Sequence, residues 1–171
     1  MIQQRINGSN VFNRSWAEFK VGFNDSRGNY WLGNDLISQL TLTGRYKLRF
    51  DLQSHINRNW YYAEYSTFTV QPESSNYRLH VSGYSGNAGY DAFRKQNGLM
   101  FTTFDRDNDQ SQRPSEICAV TFGGAWWHKS CYYCCLNCYD KLQRVGLHGF
   151  GWFRLPGGPN LQTSRMWLQC K

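Results

Sequence analysis

The sequence predicts an α+β fold with a central antiparallel sheet, a few short helices and a long irregular half that carries the function. Three observations predict it. Tyr46, Leu48, Phe50 and Leu52 alternate with Lys47, Arg49 and Asp51, the two-residue period of a half-buried strand. Two short stretches in the first quarter carry helix start and stop signals. From Asp105 onward turn residues dominate and neither the helical nor the strand period persists. The 171 residues show no internal repeat and no linker, so the chain reads as one domain, 1–171, long enough to bury a core without staples.

The elements follow in order. Asn13 is expected to cap a helix holding Trp16, Phe19 and Lys20, which stops near Gly22. Asn34 or Asp35 caps a second helix, with Leu36, Ile37 and Leu40 inward and Gly44 as its stop. The strand at 46–52 comes next. Residues 62–70 form another, with Glu64, Ser66, Phe68 and Val70 on one side. Tyr77, Leu79 and Val81 mark a third, and residues 82–89 read as a Gly/Ser loop.

Composition narrows the function. Aromatics at 17% exclude a disordered chain, and no stretch is long and apolar enough to span a membrane. Met1 to Asn10 lacks the apolar centre of a secretion signal, so any such signal is expected outside this chain. The net charge of +7 favours anionic partners such as sulfated glycan, lipopolysaccharide or teichoic acid. Arg5, Arg14, Lys20, Arg45, Lys47, Arg49, Arg78, Arg94, Lys95 and Arg144 form no run, and no recognition motif accompanies them, so nucleic acid is not an expected partner. Six cysteines, an even number, and sequons at Asn7, Asn13 and Asn24 point to a secreted, extracellular glycoprotein. His55, His80, His128 and His148 have no nucleophile or carboxylate at a diagnostic spacing, so no enzyme is expected.

Asp105, Asp107 and Asp109 alternate in a loop that also holds Asn108. Calcium takes six to eight hard oxygens, and alternate Asp side chains on a turning backbone can converge on one ion. An EF-hand is the rival reading, since Glu116 falls twelfth from Asp105. Gln110 at the sixth position, where glycine is needed, and Pro114 argue against it. Cys131, Cys134, Cys135 and Cys138 make two abutting Cys-x-x-Cys pairs. Zinc sites built from two such pairs need a spacer of about a dozen residues or more, so zinc is disfavoured and extra disulfides are expected. Cys170 is expected to bridge to this cluster, with an interchain bond as the alternative.

Several blocks resemble the fibrinogen C-terminal domain family, which includes ficolins, tachylectins and angiopoietins. They are Val11-Phe12-Asn13-Arg14-Ser15-Trp16 with Lys20 and Gly22-Phe23; Tyr30-Trp31-Leu32-Gly33-Asn34-Asp35; Tyr46 to Leu52; Asp105-Arg106-Asp107-Asn108-Asp109; and Cys118-Ala119-Val120 with Gly124-Ala125-Trp126-Trp127 and Cys131. They run in family order over roughly residues 3–139, and the family's N-terminal subdomain is absent from this reading. The resemblance implies calcium held by the Asp107 and Asp109 side chains and the Ser111 and Arg113 carbonyls, with Asp105 behind them. The loop to Cys118 is about three residues longer than the family's. The resemblance also implies a Cys118–Cys131 disulfide, stabilising by about 3 kcal/mol, a cis Ser130–Cys131 peptide, and a ligand pocket of Phe122, Ser130, Cys131, Tyr132 and Tyr133. Tyr132 stands where the family has histidine, and tail tyrosines of the family fall near Gly146 and Leu161. Trp126 and Trp127 are read as core. The function implied is a calcium-binding, lectin-like pattern-recognition module of innate immunity. It would bind microbial polysaccharide, peptidoglycan or acetylated glycans, with ligand choice moved away from simple N-acetyl sugars. The alternative is an extracellular protein–protein module of fibrinogen or angiopoietin type. An oligomer of the full-length protein is compatible with either.

Overall fold

The structure is a computed structural model that describes residues 1–6, 10–113, 116–139 and 149–171. Among these, nine strands and three α-helices occur. The strands are β1 (Gln3–Arg5), β2 (Phe23–Asn24), β3 (Tyr30–Trp31), β4 (Tyr46–Ser54), β5 (Trp60–Val70), β6 (Leu79–Gly86), β7 (Cys134–Cys135), β8 (Gly151–Trp152) and β9 (Leu161–Cys170). The helices are α1 (Trp16–Val21), α2 (Asn34–Leu42) and α3 (Cys118–Thr121). Seven strands form one antiparallel sheet in the order β2-β3-β1-β9-β4-β5-β6, and β7 pairs with β8 apart from it.

Strand β4 follows its sequence pattern, with Leu48, Phe50 and Leu52 fully buried on the inner face. The Phe50 ring lies 5.0 Å from Phe93, 5.2 Å from Trp152 and 6.0 Å from Tyr65. Beyond them Trp31 stands among Phe19, Phe101, Trp126 and Trp127. Such pairs add about 0.5–1.5 kcal/mol each beyond their buried area. Trp126 and Trp127 are therefore core, as the sequence reading holds. Helix α2 docks on β5 through Thr41, whose hydroxyl accepts the Val70 amide at 3.0 Å and donates to the Ile37 carbonyl at 2.7 Å.

The Gly22 and Gly33 turns show why the Trp-Leu-Gly-Asn-Asp block takes its residues. Both have left-handed φ, +93° and +106°. A Cβ on Gly22 would lie 2.5 Å from the Leu32 oxygen, and one on Gly33 would lie 2.7 Å from the Val21 carbonyl. The end of α1 and the start of α2 thus pack backbone to backbone.

Several expectations are corrected. Helix α1 is capped by Ser15, not Asn13: Ser15 and Glu18 form a reciprocal capping box. Helix α2 begins after Gly33 and carries no side-chain cap; Leu36 points to solvent, while Ile37 and Thr41 are buried. In β5 the buried positions are Ala63, Tyr65, Phe68 and Val70, so Glu64 and Ser66 do not share a side with Phe68. The phase changes at Ser66, opposite Gly83, where φ is +73° and a Cβ would strike the Ser66 hydroxyl. Residues 82–86 continue β6 instead of forming a loop. The largest correction is β9: a ten-residue strand from the tail lies between β1 and β4 in the middle of the sheet.

Candidate functional site

The Asp-rich loop leaves the core at Thr102 and Thr103, whose backbones pair with Trp126 and Arg106. Asp105 holds the loop to α1: its carboxylate accepts the Trp16 amide at 2.9 Å and the Thr103 hydroxyl at 2.7 Å. Arg106 covers the Trp16 ring at 4.1 Å and donates to Asn76. Asn108 ties the loop down from within, donating to the Phe101 carbonyl at 2.8 Å.

From Asp107 onward each alternate side chain accepts the amide two residues ahead. Asp107 accepts from Asp109 at 3.1 Å, Asp109 from Ser111 at 2.7 Å, and Ser111 from Arg113 at 3.4 Å. The other oxygen of Asp109 accepts the Cys118 amide at 2.7 Å, joining the loop to α3. Burial pushes the Asp109 carboxyl above its usual range, and the neighbouring Asp107 charge adds to the shift; the two amide bonds oppose it. Two neighbouring carboxylates, one half-buried, form a donor set that suits a hard divalent cation, and each keeps lone pairs beyond those its amide bonds use. Asp107 and Asp109 would hold calcium here. The Arg113 carbonyl accepts the Glu116 amide at 3.0 Å. Pro114 lies outside the described residues.

The loop also builds one wall of a cleft of about 940 Å³. Gln110, Ser111, Gln112, Arg113 and Glu116 form that wall. The floor is Ser130 and Cys131, whose shared peptide is cis, with Cys131 bonded to Cys118. The opposite wall is aromatic. Phe122 and Tyr132 stack with ring centroids 6.3 Å apart, and Tyr133 meets Phe153 edge-on at 6.1 Å. Two cations back this wall: Lys95 lies 5.6 Å from the Tyr133 ring, and Arg154 lies 5.2 Å from Phe153. Lys129 also lines the cleft. The arrangement offers an apolar face for a flat ligand and positive charge around it.

All five residues named from the sequence for the pocket line this one cleft, and it adjoins the Asp loop. Sequence reasoning missed Phe153, Glu116 and Lys129. No local signal marks Phe153; the β7–β8 pairing and the bond from its amide to the Tyr133 carbonyl at 2.9 Å bring it there. Leu161 is a buried residue of β9, and Gly146 and His148 lie outside the described residues. Asn13 and Asn24 are exposed, and Asn7 lies outside the described residues.

The remaining cysteines form one of the extra disulfides expected, and the expected bridge from Cys170 is corrected. Cys135 bonds to Cys138, Cys134 is a buried free thiol, and Cys170 is an exposed free thiol. No bridge joins Cys170 to the cluster, because β9 pairing carries it to the far end of the sheet, opposite Tyr46.

A sheet with its central strand drawn from the tail, an Asp loop bonded to a disulfide-floored cleft and an aromatic wall define a fibrinogen-type globular domain. The chain belongs to the family described as fibrinogen beta and gamma chains, C-terminal globular domain, which matches residues 1–170. It is similar to Ficolin-3 of Homo sapiens, 36% identical over 151 residues, or 88% of this chain and 49% of that protein. The chain thus spans about half the length of that curated relative. Among solved structures it resembles the fibrinogen-like globe domain of human ANGPTL2, with a TM-score of 0.84, 37% identity and coverage of 99% of this chain and 78% of that one. It also resembles the lamprey fibrin D-dimer complexed with the peptide ligand Gly-His-Arg-Pro-amide, with a TM-score of 0.80, 30% identity and coverage of 98% and 59%. No described helix is long and apolar enough to cross a membrane.

Proposed function

We propose that this domain is a calcium-supported, non-enzymatic recognition module of the extracellular space. It binds microbial surface glycans that carry acetyl or anionic groups, as in pattern recognition by innate immunity. The observation that carries this reading is the shared wall: residues 110–113 belong to the Asp loop and to the cleft at once. An ion held by Asp107 and Asp109 would supply positive charge and order to that wall. Phe122, Tyr132, Tyr133 and Phe153 would supply apolar faces for sugar rings. Arg113, Lys129, Lys95 and Arg154 favour carboxylate, sulfate or phosphate on the ligand.

A second reading has one specific observation behind it: the lamprey relative is complexed with a short basic peptide. A cleft of this size admits a peptide end. One experiment separates the two. Glycan arrays and pull-downs from extracellular fluid are run with calcium and with chelator, at low and high salt. Calcium-dependent binding to polymers of acetylated or acidic sugars supports the first reading. Retention of protein ligands alone, with a silent array, would overturn it.

A further inference from the structure

We propose that His128, Cys135 and Cys138 form a binding site for one zinc-class divalent ion, gated by the redox state of the Cys135–Cys138 disulfide. The ligand atoms of these three residues lie within 4.8 Å of one another, and all three residues are buried. Zinc takes thiolate sulfur at about 2.3 Å and imidazole nitrogen at about 2.0 Å. Opening the disulfide frees two sulfurs on Cα atoms 5.4 Å apart, within reach of one such ion.

The imidazole supplies the second observation. His128 Nε2 lies 2.9 Å from the Gly124 carbonyl, and Nδ1 lies 3.3 Å from the Cys131 carbonyl. A neutral imidazole carries one N–H, so only one of these contacts is a hydrogen bond. The other sets a lone pair against a carbonyl oxygen in a buried place. A cation between that nitrogen and its carbonyl removes the conflict. The Gly124 oxygen also lies 4.0 Å from Cys138 Sγ, which makes it an oxygen donor at hand for a fourth position. The turn is held in place besides: the buried guanidinium of Arg5 donates to the Leu136 and Cys138 carbonyls, and Asn137 donates to the Ala125 carbonyl at 3.1 Å. A positive charge beside Cys138 favours its thiolate once the disulfide is open.

The chemistry balances with a dithiol reductant. One reductant thiolate attacks a sulfur of the pair, the Cys135–Cys138 bond breaks, and the second reductant thiol resolves the mixed disulfide. The chain gains two electrons and two protons as two thiols, and the reductant leaves as its cyclic disulfide. The ion then displaces both thiol protons to solvent, while His128 gives a lone pair and no proton. The disulfide and the metal are mutually exclusive, so the metal form belongs to the chain before oxidation or in contact with dithiols.

The test uses the intact chain, oxidised or treated with dithiothreitol and freed of it without air, with cobalt(II) and zinc as probes. The oxidised chain should show no cobalt–thiolate band. The reduced chain should bind one cobalt with a thiolate charge-transfer band, which zinc bleaches. Zinc should slow alkylation of Cys135 and Cys138 at least tenfold by peptide mapping, leaving exposed Cys170 unchanged. His128→Asn should weaken cobalt binding more than tenfold. Because that variant sits in the core, the alkylation test on the unaltered chain stands alone. Absence of the thiolate band, protection at Cys118, Cys131 or Cys134 instead, or undiminished binding by folded His128→Asn overturns the proposal.

Discussion

The sheet and the cleft hold their shapes by different means. Strands β4, β5 and β6 bury aliphatic and aromatic residues against one face, and backbone ladders join each to the next. The described residues of 102–139 contain only one four-residue helix and one two-residue strand. They are held by side chains that bond to backbone, by the aromatic core beneath and by two disulfides. Burial of apolar area is non-directional and tolerant of conditions. A ladder of carboxylate–amide bonds depends on charge, on cations and on each partner being present. On the function proposed above, ligand response belongs to the half that side chains hold in place.

The largest break in that comparison should come from the sheet. Phe50→Ala removes a fully buried ring that touches Phe93, Tyr65 and Trp152 and should cost about 3–5 kcal/mol in denaturant unfolding. Calcium affinity of the folded remainder should change little. Opening the cleft floor should give the next largest effect. Cys118→Ser with Cys131→Ser releases a cross-link spanning 13 residues and should cost about 3 kcal/mol. Here the loss should fall on the cleft: amide exchange should rise across residues 109–133 while β4 and β5 stay protected.

The smallest effect sharpens the comparison from the sheet side. Arg14 and the Ser15 amide hold the Glu18 carboxyl at about 2, below its ordinary 4.5. A carboxyl depressed on folding stabilises above about pH 4.5 and loses that contribution as pH falls toward 2. Its side chain is partly exposed, so Glu18→Gln should lower stability by only about 0.5–1 kcal/mol at neutral pH. The gap to the unaltered chain, followed by thermal melts, should close near pH 2.

The two halves were also unequally legible. Strand β4 announces itself because its inner positions are all large and apolar. Strand β9 does not: Thr163 and Ser164 are both buried although strand neighbours face opposite sides, and Ser164, opposite Leu52, pairs with the Gln3 side chain at 3.1 Å, so polar satisfaction replaces the apolar period. The far end of β6 reads as loop because that part of the strand is exposed apart from Tyr84, the one residue there that packs on the core. Ser15 and Glu18 carry the capping signature in plain view, yet Asn13 competes for it two residues earlier. Beside the cleft, the alternating carboxylates of Asp107 and Asp109 were visible in the sequence, and the aromatic wall was half visible in Phe122, Tyr132 and Tyr133. Phe153, Lys95 and Arg154 reach the wall only through tertiary packing. His128 lies outside both Cys-x-x-Cys pairs, so its meeting with Cys135 and Cys138 could not be read from spacing.

The central claim is that Asp107 and Asp109 hold calcium and that the ion orders the wall of the cleft. Calorimetric titration of calcium into chelator-treated protein tests it most directly, paired with thermal melts of the unaltered chain and of Asp107→Ala. The account predicts one ion per chain, a rise in melting temperature on binding, and loss of both in Asp107→Ala. No heat of binding and no shift in melting temperature for the unaltered chain would contradict it.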